Sequence, residues 1–377
     1  MGSEADSSPS EAFFSGQPSL RLLHTLNHLS DRGNGIINLA VDLAIEQRAL
    51  GHSVAFACGG GGHEATLKRY GIQHYDLHQS KSLAAAAPSA FALRRIIRDF
   101  KPDLVHAHMR MGLLLAWPWC KLSRIPLVSH LHNVHDKESL LMGVADRVIA
   151  VSEAVSRDMQ RQGIAAKKLR VVLNGTLDSP RLPPFSTIEA RTLQHPAIST
   201  VAGLNERKGI EELIQAFALV ADEFPAAHLY LVGDGPNRAQ FEQQAAALAC
   251  SPRIHFEGFQ SVPQGYMRAS DVFVLASRRE SFGLVLSEAR QAGCAIVATD
   301  VDGIPEALAT GDPEKPAGIL IPPRNPSALA AALRCLMTDE AMAATYRERS
   351  KIGLERFTTK VMAAEVGKVY DELLHAD

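Results

Sequence analysis

DVFVLASRRESFGLVLSEARQAGCAIVATDVDGIPE, residues 271–306, decides how the rest of the chain is read. DVFVLAS is a short, nearly continuous apolar run, which suits a parallel strand buried on both faces. Arg278, Arg279, Glu280 and Ser281 then form a polar turn. A helix pattern begins near Phe282 and Gly283, carries Leu284, Leu286 and Ala289 inward, and stops at Gly293. CAIVATD is the next strand, and Gly303, Pro305 and Glu306 read as a loop entering a helix with proline in its first turn. Ligands of open parallel sheets sit at the carboxyl ends of the strands. The turn 278–283 and the loop 300–305 therefore line one crevice wall side by side.

The turn has readable chemistry. Backbone N–H groups at a helix start are unpaired and, with the helix dipole, favour an anion such as a phosphate. Ser281, Phe282 and Gly283 stand at that start, and Glu288 lies over one turn further in, its side chain leaning back toward the N-terminus. A carboxylate there can accept two hydrogen bonds from a vicinal diol such as a ribose. Glu280 sits before the helix at the strand end, where a reacting sugar would lie. Taken alone, two carboxylates at this spacing are as well explained by an ordinary solvated helix.

In its surroundings the pair resembles a known signature. Glu280, seven residues, then Glu288, with Ser-Phe-Gly after the first, is similar to the pattern of retaining glycosyltransferases of family 4. The likeness runs over about 30 consecutive residues, far more specific than a two-glutamate spacing. The resemblance implies a GT-B architecture: α/β, two Rossmann-like domains with parallel sheets facing across a cleft. It implies transfer of a sugar from a nucleotide-diphosphate sugar to a hydroxyl acceptor with retention of configuration and without a bound metal.

Composition sets the frame. At 377 residues two domains are the default. Hydrophobic content of 46% with 21% charged is ordinary for a soluble globular protein, and a net charge of −2 gives no electrostatic case for nucleic acid. Cys58, Cys120, Cys250, Cys294 and Cys335 are odd in number, far apart and set in apolar stretches. They read as buried thiols of a reducing compartment, with no zinc spacing. The start, MGSEADSSPSEAFFSGQPS, lacks the basic and apolar regions of a signal peptide and reads as a disordered leader over 1–19. No stretch reaches the ~18 consecutive apolar residues of a membrane span. A cytoplasmic protein is expected.

From residue 20 to 180 strands alternate with helices: LRLLHTLNHL, GHSVAFAC, HYDL, DLVHAHM, PLVSHLH, RVIAVS and KLRVVLNG are the strands. Such alternation predicts a parallel sheet covered on both faces. The first strand runs into a loop with Gly33 and Gly35. These could let backbone N–H groups approach a phosphate, and the resemblance places both, Gly35 more firmly, across from the donor. His106 and His108 have a metal-like spacing but no third ligand nearby in sequence, so hydrogen-bonded structural histidines are the preferred reading. His130, His132 and His135 follow in the same manner. His132, followed by Asn133, matches the family histidine beside the transferred sugar. Asn174–Gly175 matches the family's Asn-Gly that closes the N-terminal domain.

The Pro-rich run 181–196 reads as the interdomain linker. A second alternating series over 197–357 forms the nucleotide-sugar-binding domain. The helix within 358–377 packs back onto the first domain in the family. LVGDGPN matches a family turn in which Gly233 and Gly235 permit a tight strand-to-helix passage beside the nucleotide, with Pro236 at the helix start. In VAGLNERKGI, Lys208 matches the lysine that neutralises the donor diphosphate.

One position departs from the pattern: the family usually has arginine where this chain has Gly203. Preorganised cations at a leaving diphosphate are a large catalytic contribution, and losing one costs about 2–4 kcal/mol unless another substitutes. Arg207 is the first candidate, then Arg278 and Arg279. Asp300-Val301-Asp302 mimics a metal-binding Asp-x-Asp but falls where the family has a metal-free loop, so no metal ligand is assigned.

The implied partners are a nucleotide-sugar donor as co-substrate, with no cofactor, and a saccharide or lipid-linked saccharide acceptor, as in polysaccharide, lipopolysaccharide or glycolipid assembly. Family members acting on lipid-linked acceptors often dock on membranes through the N-terminal domain. The basic, aromatic segments FALRRIIRDFK and MRMGLLLAWPWCKLSR suit that contact, although an amphipathic core helix is the preferred reading of each. Two other classes stay open: a non-catalytic sugar-nucleotide-binding partner, and a GT-B enzyme of another reaction type such as an epimerase.

Overall fold

The computed structural model describes residues 19–31, 33, 35–79, 83–132 and 137–375. Nearly all of the leader, and Asn133 and His135 after the histidine strand, lie outside the described residues. The chain divides into two compact units. The first holds the chain through Gly175, Ser179–Arg181 and the residues from Arg356 on; the second holds Thr176–Asp178 and Leu182–Glu355.

The first unit is built on seven parallel strands: β1 (Arg21–His28), β2 (Ser53–Gly59), β3 (Gln73–Asp76), β4 (Leu104–Ala107), β5 (Leu127–Leu131), β6 (Arg147–Ala150) and β7 (Leu169–Val171). Their order is β3-β2-β1-β4-β5-β6-β7. The second unit has six: β8 (Ala197–Val201), β9 (His228–Val232), β10 (Ile254–Gly258), β11 (Val272–Leu275), β12 (Ala295–Thr299) and β13 (Ile319–Ile321), in the order β10-β9-β8-β11-β12-β13. These too are parallel. Every residue of β11 and β12 is buried, as continuous apolar runs between two helix layers must be. In both sheets the order reverses beside the first strand, so loops leave in opposite directions and open a crevice at the carboxyl ends.

The C-terminal helix, Thr359–Leu374, belongs to the first unit, where it packs on the helix Gly35–Ala49. Thr358 caps it through Oγ1, Thr359 Oγ1 donates to Glu46 Oε1 at 2.6 Å, and Arg170 reaches Glu372 at 2.7 Å. The Pro-rich run is divided between the units. Arg181 grips buried Asp42 with two bonds of 2.7 and 2.8 Å in the first, while Arg191 N donates to Gly265 O at 2.9 Å in the second.

Three details differ from expectation. Leu284 is only half-buried, because it is the first residue of the helix Leu284–Gln291; Leu286 and Ala289 carry the inward face. Pro236 precedes the helix start, since that helix runs Arg238–Ala246 with Asn237 at its N-cap. Cys335 is half-buried while the other four free cysteines are buried, because its helix, Pro326–Thr338, turns Leu329, Leu333 and Leu336 to the core.

Candidate functional site

In the second unit the reversal falls between β8 and β11, which are neighbours. The loop after β8 carries Arg207 and Lys208 on a short turn, Glu206–Lys208, and is bonded directly to the loop after β11. Arg278 N donates to Arg207 O at 2.7 Å, and Arg207 Nη1 donates to Arg279 O at 3.1 Å. Gly209, at φ +64°, lies against the carbonyl of Ala276 with no room for a Cβ. This close approach draws together the catalytic candidates of two separate loops.

Glu280 is their centre, 9% exposed. Its Oε2 is ion-paired with Lys208 Nζ and lies 3.4 Å from Ser277 Oγ, and its Oε1 is 3.8 Å from Arg207 Nη1. The backbone of Glu280 is clamped by the neighbouring loop: its N–H donates to Asp302 Oδ2 at 2.9 Å, and Gly303 N donates to its carbonyl at 3.0 Å. Arg279 Nε also bonds Asp302 Oδ2, at 2.9 Å. The Asp302 carboxylate is thus engaged in shaping the turn. The loops after β11 and β12 stand side by side as the sequence indicates.

The three substitute cations separate clearly. Arg278 is held by Glu212 at 2.7 Å and Glu211 at 2.9 Å on the helix Ile210–Val220, and Arg279 is held by Asp302; Arg207 reaches toward Glu280. A Cβ at Gly203 would meet the end of the Asn205 side chain at 3.3 Å, a tight contact that this side chain can relieve by a small shift, and Asp234 O at 3.9 Å. The backbone therefore does not require glycine at this position.

Ser281 and Phe282 are buried, and Gly283, at φ +88°, opens the helix Leu284–Gln291. Glu288 is half-buried one turn in, where its Oε2 accepts from Gln264 Nε2 at 3.4 Å. Gly233 and Gly235 follow β9 and press against the backbone of Ala202 and Leu204, so the turn after β9 is packed onto the one after β8. The donor-side candidates Lys208, Arg207, Glu280, Ser281, Phe282, Gly283, Glu288, Gly233, Gly235 and Pro236 all belong to this end of the second sheet.

Gly33, Gly35 and His132 belong to the first unit. Gly33 has φ +63° with nothing within 4 Å of where a Cβ would stand, and Gly35 begins the helix Gly35–Ala49. His132 follows β5. It is one end of a feature the sequence did not disclose, in which histidines of three neighbouring strands share one face. His24 on β1 is in register with His106 on β4, and His108, His130 and His132 stack alongside. Ring centroids of His106 and His108 are 4.2 Å apart, and those of His130 and His132 are 4.0 Å apart.

The third neighbour that His106 and His108 lack in sequence is thus supplied by sheet register. Burial lowers the pKa of His24 to about 4 and of His132 to about 3, and pushes His106, His108 and His130 well below the usual range. All five are neutral near pH 7. The alternating HAH and HLH spacing at two strand ends was the one signal of this face.

Comparison with known proteins agrees with this architecture. The family model "Glycosyl transferases group 1" matches residues 187–352, and "Glycosyltransferase Family 4" matches 33–176. The phosphatidyl-myo-inositol mannosyltransferase of Mycolicibacterium smegmatis is 33% identical over 287 residues, 71% of each chain. The N-acetyl-alpha-D-glucosaminyl L-malate synthase of Bacillus anthracis is 31% identical, covering 92% of this chain and 95% of its own. The solved structure of Anabaena HepE in complex with UDP and glucose superposes with a TM-score of 0.79 at 21% identity, covering 93% of this chain and 99% of its own, which speaks to the GT-B fold. The chain belongs to the glycosyltransferases of family 4.

Proposed function

We propose that this glycosyltransferase moves a sugar from a nucleoside-diphosphate sugar to a hydroxyl acceptor, with retention at the anomeric carbon and without a metal ion. The observation that carries the reading is the Lys208–Glu280–Arg207 cluster at the strand-order reversal, beside a helix start with Glu288 one turn in. Lys208 and Arg207 supply the positive charge that a departing diphosphate requires, aided by the helix N-terminus. Glu288 accepts from the ribose hydroxyls, and Glu280, held by backbone on both sides, faces the transferred sugar. Asp302 is engaged with Glu280 N and Arg279, which leaves the Asp-x-Asp poorly suited to a cation.

The similar HepE structure holds UDP and glucose, and the similar mannosyltransferase is named for phosphatidyl-myo-inositol. Both fit a role in polysaccharide or glycolipid assembly. For the acceptor, a lipid-linked saccharide is favoured by exposed Phe91 (62%) on the helix Leu83–Phe100, which also carries exposed Arg94, Arg95 and Arg98, and by exposed Trp117 (41%) and Leu122 (72%) on the helix Arg110–Ser123. Among the described residues no helix is long and apolar enough to cross a membrane, so such contact would be peripheral.

Incubating the protein with UDP- and GDP-sugars, excess chelator and an acceptor panel, then reading the anomeric proton coupling of the product, tests this. The expected product keeps the donor configuration. An inverted product, or activity that chelator abolishes and manganese restores, contradicts the reading. Nucleotide binding with neither transfer nor slow donor hydrolysis favours the binding-partner alternative.

A further inference from the structure

The histidine face of the first unit continues into two other buried groups. Tyr370, on the C-terminal helix, accepts at Oη from Gln47 Nε2 (3.1 Å) and lies 2.6 Å from His106 Nδ1. Gln47 Oε1 is 2.8 Å from His24 Nε2, His24 Nδ1 is 2.9 Å from His108 Nε2, and His108 Nδ1 is 3.1 Å from His132 Nε2. Tyr370, Gln47, His24 and His108 are each at most 2% exposed.

A neutral imidazole has one N–H and one lone pair, so it can pass a hydrogen bond in only one direction. The direction is set by the way the Gln47 amide is turned. Its NH₂ is committed to Tyr370, so its oxygen faces His24 and must accept. His24 then carries its proton on Nε2 and accepts at Nδ1; His108 carries its own on Nε2 and accepts at Nδ1. His132, last in line, must donate from Nε2. Tyr370 Oη, having accepted from Gln47, donates to His106 Nδ1, which closes the other branch.

We propose that the chain Tyr370–Gln47–His24–His108 is a positioning relay that fixes the tautomer of His132, with the proton on Nε2 and a lone pair on Nδ1. This rests on the reading of His132 as the residue beside the transferred sugar. A lone pair at Nδ1 accepts from a sugar hydroxyl and disfavours a group that can only accept, such as a carboxylate. The relay connects the last helix of the chain to the identity of a hydrogen-bonding group at the site.

The same histidines form two groups, His24/His106/His108 and His108/His130/His132, in which three ring nitrogens come together. A tetrahedral metal with ~2.05 Å bonds would need ligand nitrogens about 3.3 Å apart, each offering a lone pair. In the relay both nitrogens of His24 and of His108 are already paired, at 2.8–3.1 Å. Relay and metal site are mutually exclusive readings.

Nitrogen-15 NMR of histidine-labelled full-length protein decides between them. The relay predicts that wild-type His132 is a single tautomer with Nε2 protonated, and that Gln47→Leu and Tyr370→Phe both broaden it into a mixture. Gln47→Glu, which still accepts from His24, should retain the wild-type pattern. Gln47→Leu should lower kcat about tenfold with the donor KM changed less than about threefold, and Gln47→Glu should restore most of it. If both relay variants fail to fold, the wild-type spectrum alone remains decisive. His132 protonated at Nδ1, a tautomer indifferent to Gln47→Leu, or stoichiometric uptake of added Zn²⁺ with loss of the relay N–H signals would each overturn the proposal. Unchanged turnover in His132→Ala would refute the sugar role while leaving the NMR result to judge the relay.

Discussion

The carboxyl ends of the two sheets share a strand-order reversal and differ in what they place there. In the first unit burial has produced a neutral polar face of five imidazoles, an amide and a phenol. In the second, Glu280, Lys208, Arg207, Asp302 and Arg279 form an interlinked set of charges, each held by an opposite charge or by backbone. Neutral, tautomer-fixed groups suit the recognition of hydroxyls, whereas the charged set suits a diphosphate whose charge grows as it departs. One topology thus supports two chemistries, and the side chains at the strand ends make the difference.

The largest expected effect tests how far the second unit relies on buried charge. Arg290 is fully buried and bonds the carbonyls of Ala307 (2.6 Å), Ser350 (3.1 Å), Ala309 (3.3 Å) and Ile352. Arg290→Met leaves these acceptors stranded and should destabilise the protein by about 3–5 kcal/mol in urea unfolding. A loss under ~1 kcal/mol would show that the guanidinium is dispensable.

Next comes Lys208→Ala, which should reduce turnover by about 10²–10³-fold with the fold intact, the usual scale for removing one preorganised charge-stabilising group. Near-wild-type turnover would move the catalytic cation elsewhere.

The third prediction probes the neutral face through pH. The folded-state pKa values of His24 (about 4) and His132 (about 3) lie below the unfolded value near 6.5. Between those limits the unfolded chain binds more protons. The stability these groups contribute is therefore full above pH 6.5 and is lost as pH falls toward 4 and 3. Each such histidine adds a slope of up to ~1.4 kcal/mol per pH unit. Urea midpoints at pH 7, 6 and 5 should fall in step, and His24→Gln should flatten the slope. Midpoints independent of pH would erase the difference between a neutral face and a charged one.

The smallest effect distinguishes the arginines. Arg207→Ala should lower turnover about tenfold, and Arg278→Ala and Arg279→Ala less than about threefold, because those two are committed to Glu211, Glu212 and Asp302. Equal effects from all three would remove Arg207's special place. Gly203→Arg requires only a small shift of the Asn205 side chain and should raise turnover only if Arg207 compensates incompletely.

Much of the second unit was legible in the sequence because its signals are local. The strand VFVL, the turn at 278–283 and the helix with Glu288 lie within one stretch, and a parallel sheet forces neighbouring strand ends together. The histidine face was not legible, because it depends on register between strands far apart in sequence: His24 pairs with His106, and Ala107 with Ser129. Nor did the sequence disclose that Asp302 holds the backbone of Glu280, since a side chain's choice between a metal and a neighbouring N–H is made by loop geometry. Tyr370 reaches His106 across 264 residues, a contact no spacing argument anticipates.

A nucleoside-diphosphate site at the carboxyl end of the second sheet underlies every catalytic role proposed above, and calorimetric titration of UDP and GDP into wild-type and Glu288→Ala protein in excess chelator tests it. The wild type should bind one equivalent of one nucleotide without metal. Affinity in Glu288→Ala should be weaker by about 1.5–3 kcal/mol, roughly 10- to 150-fold, with an unchanged melting temperature. Wild-type protein that binds neither nucleotide, or a Glu288→Ala variant that binds as tightly as its parent, would contradict it.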